Sequence, residues 1–543
     1  MISSKLNRRS LLKLGLGTTI LGTTACSGDY QANDRWNRGD LQHLIPLVSH
    51  GAFNIKLSFF NSRDKAPILK VGKRTITGCQ QDSLGRFWAF RVGDLTPNTE
   101  YQLQLVDSTG NSLCDAWPLK TFPAPQQKPE QLRIISYTCA GGPDLPVLPG
   151  NRHAFKPVVY RQKLFDTIIE QKPDMVISNG DHIYWDYRSW VKNPDSAMAR
   201  MAIDLFLGTY GSFDETLPVK GTKNEITLQA IADEQIGKAY GVRFRSTPVY
   251  FVTDDHDYFD NDDATPELVT FPPNNFHQDL RDTLQAQYFP EYIVEEELPS
   301  VFPGYTTENS IALSTHFGMA RFGDLFCGAL YDCGGKLNLN GVDAGLIPRI
   351  VENWLLEKTS MEDTRHLIHI PSHPMGWTAG KWREWYPDLI KSEGTLLAEV
   401  KGDGRGNKFM WQQGWWSQHQ RLIEALFLQN IRKPLVVSGD LHLLGAGQIK
   451  HSGDLDLTSN PVTSILSGPV GVGGLGWLSK ARGLSAQTPQ SLVVDELLAP
   501  RERNGYTLID MDRNRCRIEL YQCPEGYVVP EDLRPALVNA FSV

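Results

Sequence analysis

VISNGDHIY at residues 176–184 carries an apolar strand pattern straight into a Gly-Asp turn. Gly180 lets the backbone turn sharply at the strand end, Asp181 projects a carboxylate able to bridge two cations, and Tyr184 follows within reach of the same ion. Upstream, residues 157–170 place Val158, Leu164, Phe165, Ile168 and Ile169 at helical spacing, and Pro173 ends that helix before the strand begins. The same grammar returns later in the chain. Ser417 is placed to cap a helix whose apolar face includes Leu422, Ile423, Leu426 and Phe427; Pro434 follows, and LVVS leads into Gly439-Asp440. Two helix-strand-Gly-Asp units predict a layered α/β sandwich.

Other apolar runs end on polar residues of the same kind: ISYTC at 135–139, YFVTDDHD at 250–257, LIHIPSHP at 367–374 and VVSGDLH at 436–442. Strand C-termini in an α/β sheet open onto the crevice where ligands bind, so Cys139, Asp181, Asp255, His373 and Asp440 are expected to converge from distant parts of the chain. Each motif alone also has an ordinary structural reading. A Gly-Asp pair often only turns the chain, and the run Asp254-Asp255-His256-Asp257 is also what a solvated loop looks like. The apolar VYFV before that run argues for burial, and three neighbouring carboxylates suit His256 to contacting phosphate or protonating a leaving group. Asp440 and His442 lie two apart, on one side of extended chain, as ligands to a paired-metal site would. Trp377, Trp382, Trp385, Trp411, Trp415 and Trp416 either pack a core or form a rim to the site.

The 543 residues exceed one ordinary domain, and a composition of 41% apolar, 21% charged and 10% aromatic residues is that of a globular protein. A net charge of -8 without a basic stripe speaks against nucleic acid as a partner. Residues 1–30 read as an address: Lys5, Arg8 and Arg9 precede an apolar stretch from Leu11 to Leu21, and Thr23 and Ala25 suit cleavage. Arg8-Arg9 before SLLK resembles a twin-arginine signal, which implies folded export by that machinery to the periplasm, the cell surface or the medium. Cys26 is a candidate lipid anchor, although Thr23 stands where a leucine is usual. No segment is long enough to span a bilayer. The 8 cysteines form no scaffold pattern, and Cys79 with Cys114 or Cys516 with Cys523 are candidate disulfides.

Residues 44–125 read as all β, with Phe53, Ile55, Leu57 and Phe59 alternating, then Phe87–Phe90, then Tyr101, Leu103 and Leu105. LTPNTEYQLQL resembles the signature of fibronectin type III-like sandwiches, and TFPAPQQKPE reads as an exit linker, so a boundary is expected near residue 127. The expected organisation is a signal at 1–30, a β-sandwich at 44–125, a catalytic α/β domain at 130–525 and a C-terminal tail at 526–543. The segments 190–230 and 258–280 read as loops over the site.

Cys, then Gly-Asp-x-x-Tyr, then Asp-Asp-His-Asp, then Gly-Asp-x-His, preceded by a β-sandwich, resembles the alkaline phosphatase D (PhoD-like) family of calcineurin-like metallophosphatases. The resemblance covers most of the mature chain and implies a two-sheet α/β metallophosphatase sandwich. It implies one site holding ferric iron (Fe3+) through Cys139, Asp181, Tyr184 and His442. A second site, holding calcium (Ca2+), would share Asp181 and add Asp255, Asp440 and Asn261. The residue types suggest the same division, since thiolate and phenolate favour a transition metal and clustered carboxylates favour calcium. His256 and His373 are then the candidate catalytic residues, His373 contacting phosphate or supporting a ligand. This chain departs from the family at Tyr331-Asp332-Cys333-Gly334, so that an arginine contact there does not carry over, and at His373, where many relatives have an amide. The implied activity is hydrolysis of phosphate mono- or diesters by a metal-activated hydroxide, without a phosphoenzyme. Alternatives are a phosphodiesterase or phospholipase D-like enzyme and a non-catalytic surface-binding protein.

Overall fold

In the computed structural model, residues of the strand Met175–Asn179 alternate between two environments, and that alternation organises the whole α/β region. Ile134, Ile177, Val252 and Ile509 point into a core shared with Ile368, Ile370, Val437 and Ile465 of a second sheet. Ile135, Val176, Phe251 and Leu508 point the other way, against the helices Val158–Glu170, Lys223–Ala232 and Asn275–Tyr288. On the second sheet, Leu367 and Val436 face the helices Arg349–Ser360 and Gln413–Phe427. Because a strand presents successive side chains to opposite faces, each apolar run is buried on both sides and the layers stack helix, sheet, sheet, helix. The structure describes residues 35–144, 153–185, 197–258, 274–296, 298–308, 310–338, 340–379, 385–386, 397–399, 407–409, 412–481, 485–526 and 532–543.

The first sheet has six strands, with Gln131–Tyr137, Met175–Asn179 and Val249–Val252 parallel and Gly505–Asp512 antiparallel beside the first of these. The second has eight, with Phe326–Tyr331, His366–Pro371, Leu435–Ser438 and Val462–Ser467 parallel at its centre. The parallel strands of each sheet therefore deliver their following loops to one edge. The outermost strand of the first sheet is Ala536–Ser542, paired with Cys516–Gln522. Residues set aside from sequence as a C-terminal tail thus complete that sheet, and the expected end of the domain at 525 is corrected.

The N-terminal region forms two antiparallel four-stranded sheets around a common apolar core that includes Phe53, Ile55, Leu57, Leu103 and Trp117. The Tyr101 hydroxyl accepts a 2.8 Å hydrogen bond from the Thr96 backbone N–H, so the tyrosine of the LTPNTEY segment bonds back to backbone five residues upstream. Both sheets end by Lys120, before the proline-rich stretch, yet Phe122 packs edge-on against Phe322 at 5.3 Å and the core continues into the α/β layers. Trp36–Val543 accordingly forms one unit.

Three further expectations change. The segment 190–230 contains the helices Ala197–Tyr210 and Lys223–Ala232, and Asn275–Tyr288 begins within 258–280, while 259–273 lie outside the described residues. The second helix packs Leu228 and Ile231 under the first sheet, so its polar residues mark one face of an element. Ser417 lies inside its helix, which starts at Gln413 so that Trp415 is buried. Cys79, Cys114, Cys516 and Cys523 are free; Cys516 opens the strand Cys516–Gln522 and Cys523 follows it, roughly 20 Å away at about 3.3 Å per residue, beyond disulfide reach. Trp377, Trp385 and Trp415 are fully buried and belong to the core; Trp382 and Trp411 lie outside the described residues.

The sandwich is fastened by a buried charge cluster. Lys56 Nζ, with a fully buried side chain, lies 2.8 Å from Glu291 Oε1 and donates to the Ala286 carbonyl, while Arg91 reaches Glu291 at 3.5 Å and Glu308 at 2.6 Å. Burial alone would raise the Glu291 carboxyl, but Lys56 and Arg91 hold it below its ordinary value. Removing one partner strands the other charge in the interior, whereas removing a pair does not. Glu291→Leu is expected to cost about 3–5 kcal/mol, and Lys56→Met combined with Glu291→Leu clearly less than the sum of the two single losses. Denaturant unfolding of the two single variants and the double variant measures this; additive losses would contradict it.

Candidate metal centre

The loops that leave the parallel strands of both sheets meet at one edge. Asn179, the last residue of its strand, uses its side-chain amide to donate to the Pro371 carbonyl at 3.0 Å and the Val437 carbonyl at 3.3 Å. One side chain of the first sheet thereby ties two strand ends of the second. Thr138 Oγ1 donates to the Asn179 carbonyl and accepts from the Asp440 N–H at 3.3 Å. A Cβ at Gly439 would lie 2.2 Å from the Asn179 oxygen, so only glycine admits this approach.

The backbone at the site is held in the sparsely populated left-handed region: φ is +50° at Cys139, +57° at Asp181, +68° at Asp440 and +53° at His442. Such conformations cost on the order of 1–3 kcal/mol each and persist only where surroundings enforce them. Here the loops brace one another, with Cys139 N–H on Gly180 O at 3.1 Å, Gly141 N–H on Asp181 O at 3.0 Å and Gly471 N–H on Cys139 O at 2.9 Å, while within its own loop His442 N–H bonds Asp440 O at 2.7 Å.

Three sets of donor atoms, each within 4.8 Å of one another, result: Cys139, Asp181 and His442; Asp181, Asp255 and His256; Asp254, Asp255 and Asp440. Asp181 enters two of them. Cys139 Sγ lies 3.3 Å from Asp181 Oδ2, and the Tyr184 hydroxyl lies 2.9 Å from that oxygen and 3.0 Å from His442 Nε2. His442 Nδ1 is 2.6 Å from the Gly476 carbonyl, which leaves Nε2 directed at Asp181. His256 Nε2 is 4.0 Å from Asp255 Oδ2, and its ring packs on Tyr184 at 4.3 Å. Asn261 lies outside the described residues.

His373 is fully buried, with Nδ1 3.3 Å from Asp254 Oδ1, while Ser372 Oγ donates to the same oxygen at 3.1 Å. It therefore stands beside a carboxylate that sequence reasoning passed over. Asp254 and Asp257 share one acidic run with Asp255, yet Asp257 accepts from the His182 and Asp254 N–H groups at 2.9 Å each and braces backbone. Only the local turn at Asp255–Tyr258 decides which carboxylate faces which way.

Burial raises the Asp181 carboxyl to about 8; His256 opposes this, and Asp255, Asp254 and Asp440 add to it. Burial likewise pushes the Cys139 thiol and the Tyr184 phenol well above their ordinary values, with Asp181 adding to both. These shifts describe anionic donors crowded without a compensating charge, and a cation among them would reverse each one. Asp181 Oδ1 and His373 Nε2 are buried with no hydrogen-bond partner among the described residues. The donor chemistry and the orphaned oxygen fit a pair of cations bridged by Asp181. Two open cavities of about 400 and 440 Å³ lie at the opposite ends of these strands, both lined by Gln131 and Asp174, and hold none of the three donor sets.

No protein-family model matches the chain, and no curated protein sequence matches it either. Among solved structures it is similar to PhoD, at 13% identity and a TM-score of 0.54 over 92% of this chain and 89% of that one. It is also similar to a purple acid phosphatase from yellow lupin (Lupinus luteus) seeds, at 11% identity and a TM-score of 0.52 over 92% of this chain and 73% of that one. At these identities the likeness is one of fold, and it extends through nearly the whole chain: this protein has a PhoD-like metallophosphatase fold, a two-sheet α/β sandwich preceded by a β-sandwich.

Proposed function

We propose that the protein is an exported, metal-dependent phosphoric ester hydrolase of the alkaline phosphatase D type. The observation that carries this reading is the position of Asp181, whose carboxylate stands with Cys139 and His442 on one side and with Asp255 and His256 on the other, where Asp255 in turn belongs to a carboxylate set with Asp254 and Asp440. Cys139, Asp181, Tyr184 and His442 would hold ferric iron. Asp181, Asp255 and Asp440, with Asn261, would hold calcium, and Asp254 stands close enough to join them. Bound there, two such cations would neutralise phosphoryl oxygens and lower the pKa of water toward neutrality.

The chain's own groups then have distinct tasks. Asp181 holds the two donor sets at a fixed spacing. His256 keeps 12% side-chain exposure while Asp255 is fully buried, so it is the acid–base group placed to meet a substrate and protonate the departing oxygen. His373, buried against Asp254, orients that carboxylate. The twin-arginine-like segment and Cys26 lie outside the described residues, and export, with Cys26 a candidate for lipid attachment, belongs to this proposal on sequence grounds. No helix among the described residues is long and apolar enough to cross a membrane.

Strong chelators are expected to abolish hydrolysis of phosphate mono- and diesters, with calcium restoring it; full activity in metal-stripped protein would refute the reading. Asp181→Asn should lower the content of both metals. His256→Ala should keep the metals and slow turnover by about 100-fold or more. Elemental analysis alongside rates on both ester types checks each variant.

Iron-loaded protein is expected to be coloured through charge transfer from Cys139 and Tyr184, since coordination deprotonates both groups. Tyr184→Phe should shift or weaken the visible band with the fold intact, and Cys139→Ser should lower iron occupancy. Colourless iron-replete protein would return Cys139 to the role of a core residue.

A further inference from the structure

The α-helix Lys223–Ala232 does not end where its α pattern stops but runs on as a π-helical turn, Asp233–Lys238. A π turn holds one residue more than an α turn and is often found at functional sites. At its centre sits Gln235, fully buried beneath the two loops that carry Cys139 and Tyr184. Its Oε1 accepts from the Tyr184 N–H at 2.8 Å and from the Gly142 N–H at 2.7 Å, and its Nε2 donates to the Tyr184 carbonyl at 2.8 Å. One amide thus pairs with both backbone groups of a single residue and also holds the neighbouring loop. The Gln235 carbonyl in turn accepts from Arg161 at 3.3 Å, and Arg161, fully buried, also donates to the Ala140 carbonyl at 2.8 Å and the Gly142 carbonyl at 2.5 Å.

This arrangement needs a side chain with an acceptor and a donor on one planar group, at the length of glutamine. A carboxylate in its place would face the Tyr184 carbonyl without a proton, and an alkyl group would leave buried backbone groups unsatisfied. No helix-packing purpose requires the amide, since the apolar contacts of this segment are made by Ile231, Ile236 and Ala239. What the amide fixes is the backbone from which the Tyr184 phenol reaches Asp181 and His442, together with the Cys139–Gly142 loop opposite.

We infer that Gln235 is a positioning residue for the iron-binding half of the site, setting where the Tyr184 phenol and the Cys139 thiol stand relative to one ion. The inference rests on the metal reading of that donor set. It assigns to the π turn the task of delivering the amide, and it makes the ligand geometry depend on a helix that contributes no ligand.

The test uses full-length protein loaded with Fe3+. Gln235→Leu and the near-isosteric Gln235→Glu should each bind Fe3+ about 10- to 100-fold more weakly in chelator competition, as loss of a residue supporting a ligand commonly does. Both should also move the visible charge-transfer band. Gln229→Leu removes a buried amide of the same helix that bonds Arg86 and Gln287 instead, and it should keep the band and the affinity whatever it does to the melting temperature. Wild-type band and affinity in both Gln235 variants would overturn the inference, as would an equal change in Gln229→Leu. Tyr184→Phe separates the two levels: if it moves the band while the Gln235 variants do not, the positioning role fails alone, and if it leaves the band unmoved the metal reading fails and takes the inference with it.

Discussion

Asp181, Asp254, Asp255 and Asp440 are between 0 and 1% exposed and stand close enough for their oxygens to share ions, with a buried thiol and phenol alongside. Two like charges about 4 Å apart repel by about 4 kcal/mol even at an effective dielectric of about 20. Several such pairs exceed what a marginally stable fold supplies without compensation. Protonation relieves the repulsion at the expense of the donors; positive charge relieves it and keeps them. The left-handed backbone at Cys139, Asp181, Asp440 and His442 adds to the load, and it is met by loops that brace one another across the two sheets. On the proposed metal reading, ion binding and the final closing of this edge of the fold would be coupled, as is general where ligands come from distant segments.

The strength of the architecture lies in where it spends hydrogen bonds. Asn179 ties the ends of strands that are 192 and 258 residues away in sequence, and the Thr138 hydroxyl links the Asn179 carbonyl to the Asp440 N–H. Sheets packed only through apolar side chains can slide by fractions of an ångström without large loss. A shared amide at the strand ends removes that freedom where ligand distances matter most.

Much of this was legible in the sequence because the informative units are local. An apolar run that ends on Gly-Asp reports its own strand, its own turn and the residue that leaves it, and the recurrence of that pattern located Cys139, Asp181, Asp255, His373 and Asp440 near one edge. What stayed hidden depends on partners distant in sequence. Asn54, Lys56 and Ser58 alternate with apolar neighbours as a solvent face would, yet every residue of Phe53–Phe59 is buried, because that face is covered by Glu291 and the helix before it. Asp254 and Asp257 differ from Asp255 only in which way a short turn points them. Gln235 sits in a segment with no motif at all, and only an unbroken helical reading with one residue too many would have drawn the eye.

The placement of Gly505–Asp512 has a consequence for how the molecule is made. That strand lies directly beside Gln131–Tyr137, and the sheet is finished by Cys516–Gln522 and Ala536–Ser542. The strand whose end presents Cys139 thus waits, on one side, for a partner 371 residues later, Thr507 beside Ser136, to be synthesised. Pairing across so long a separation is slow, and it cannot begin until Gly505–Asp512 has been translated. During that interval Cys139, Asp181 and Asp255 stand in an unfinished layer, so assembly of the pocket is a late event, and loss of the strand Gly505–Asp512 would be felt at a strand laid down far earlier.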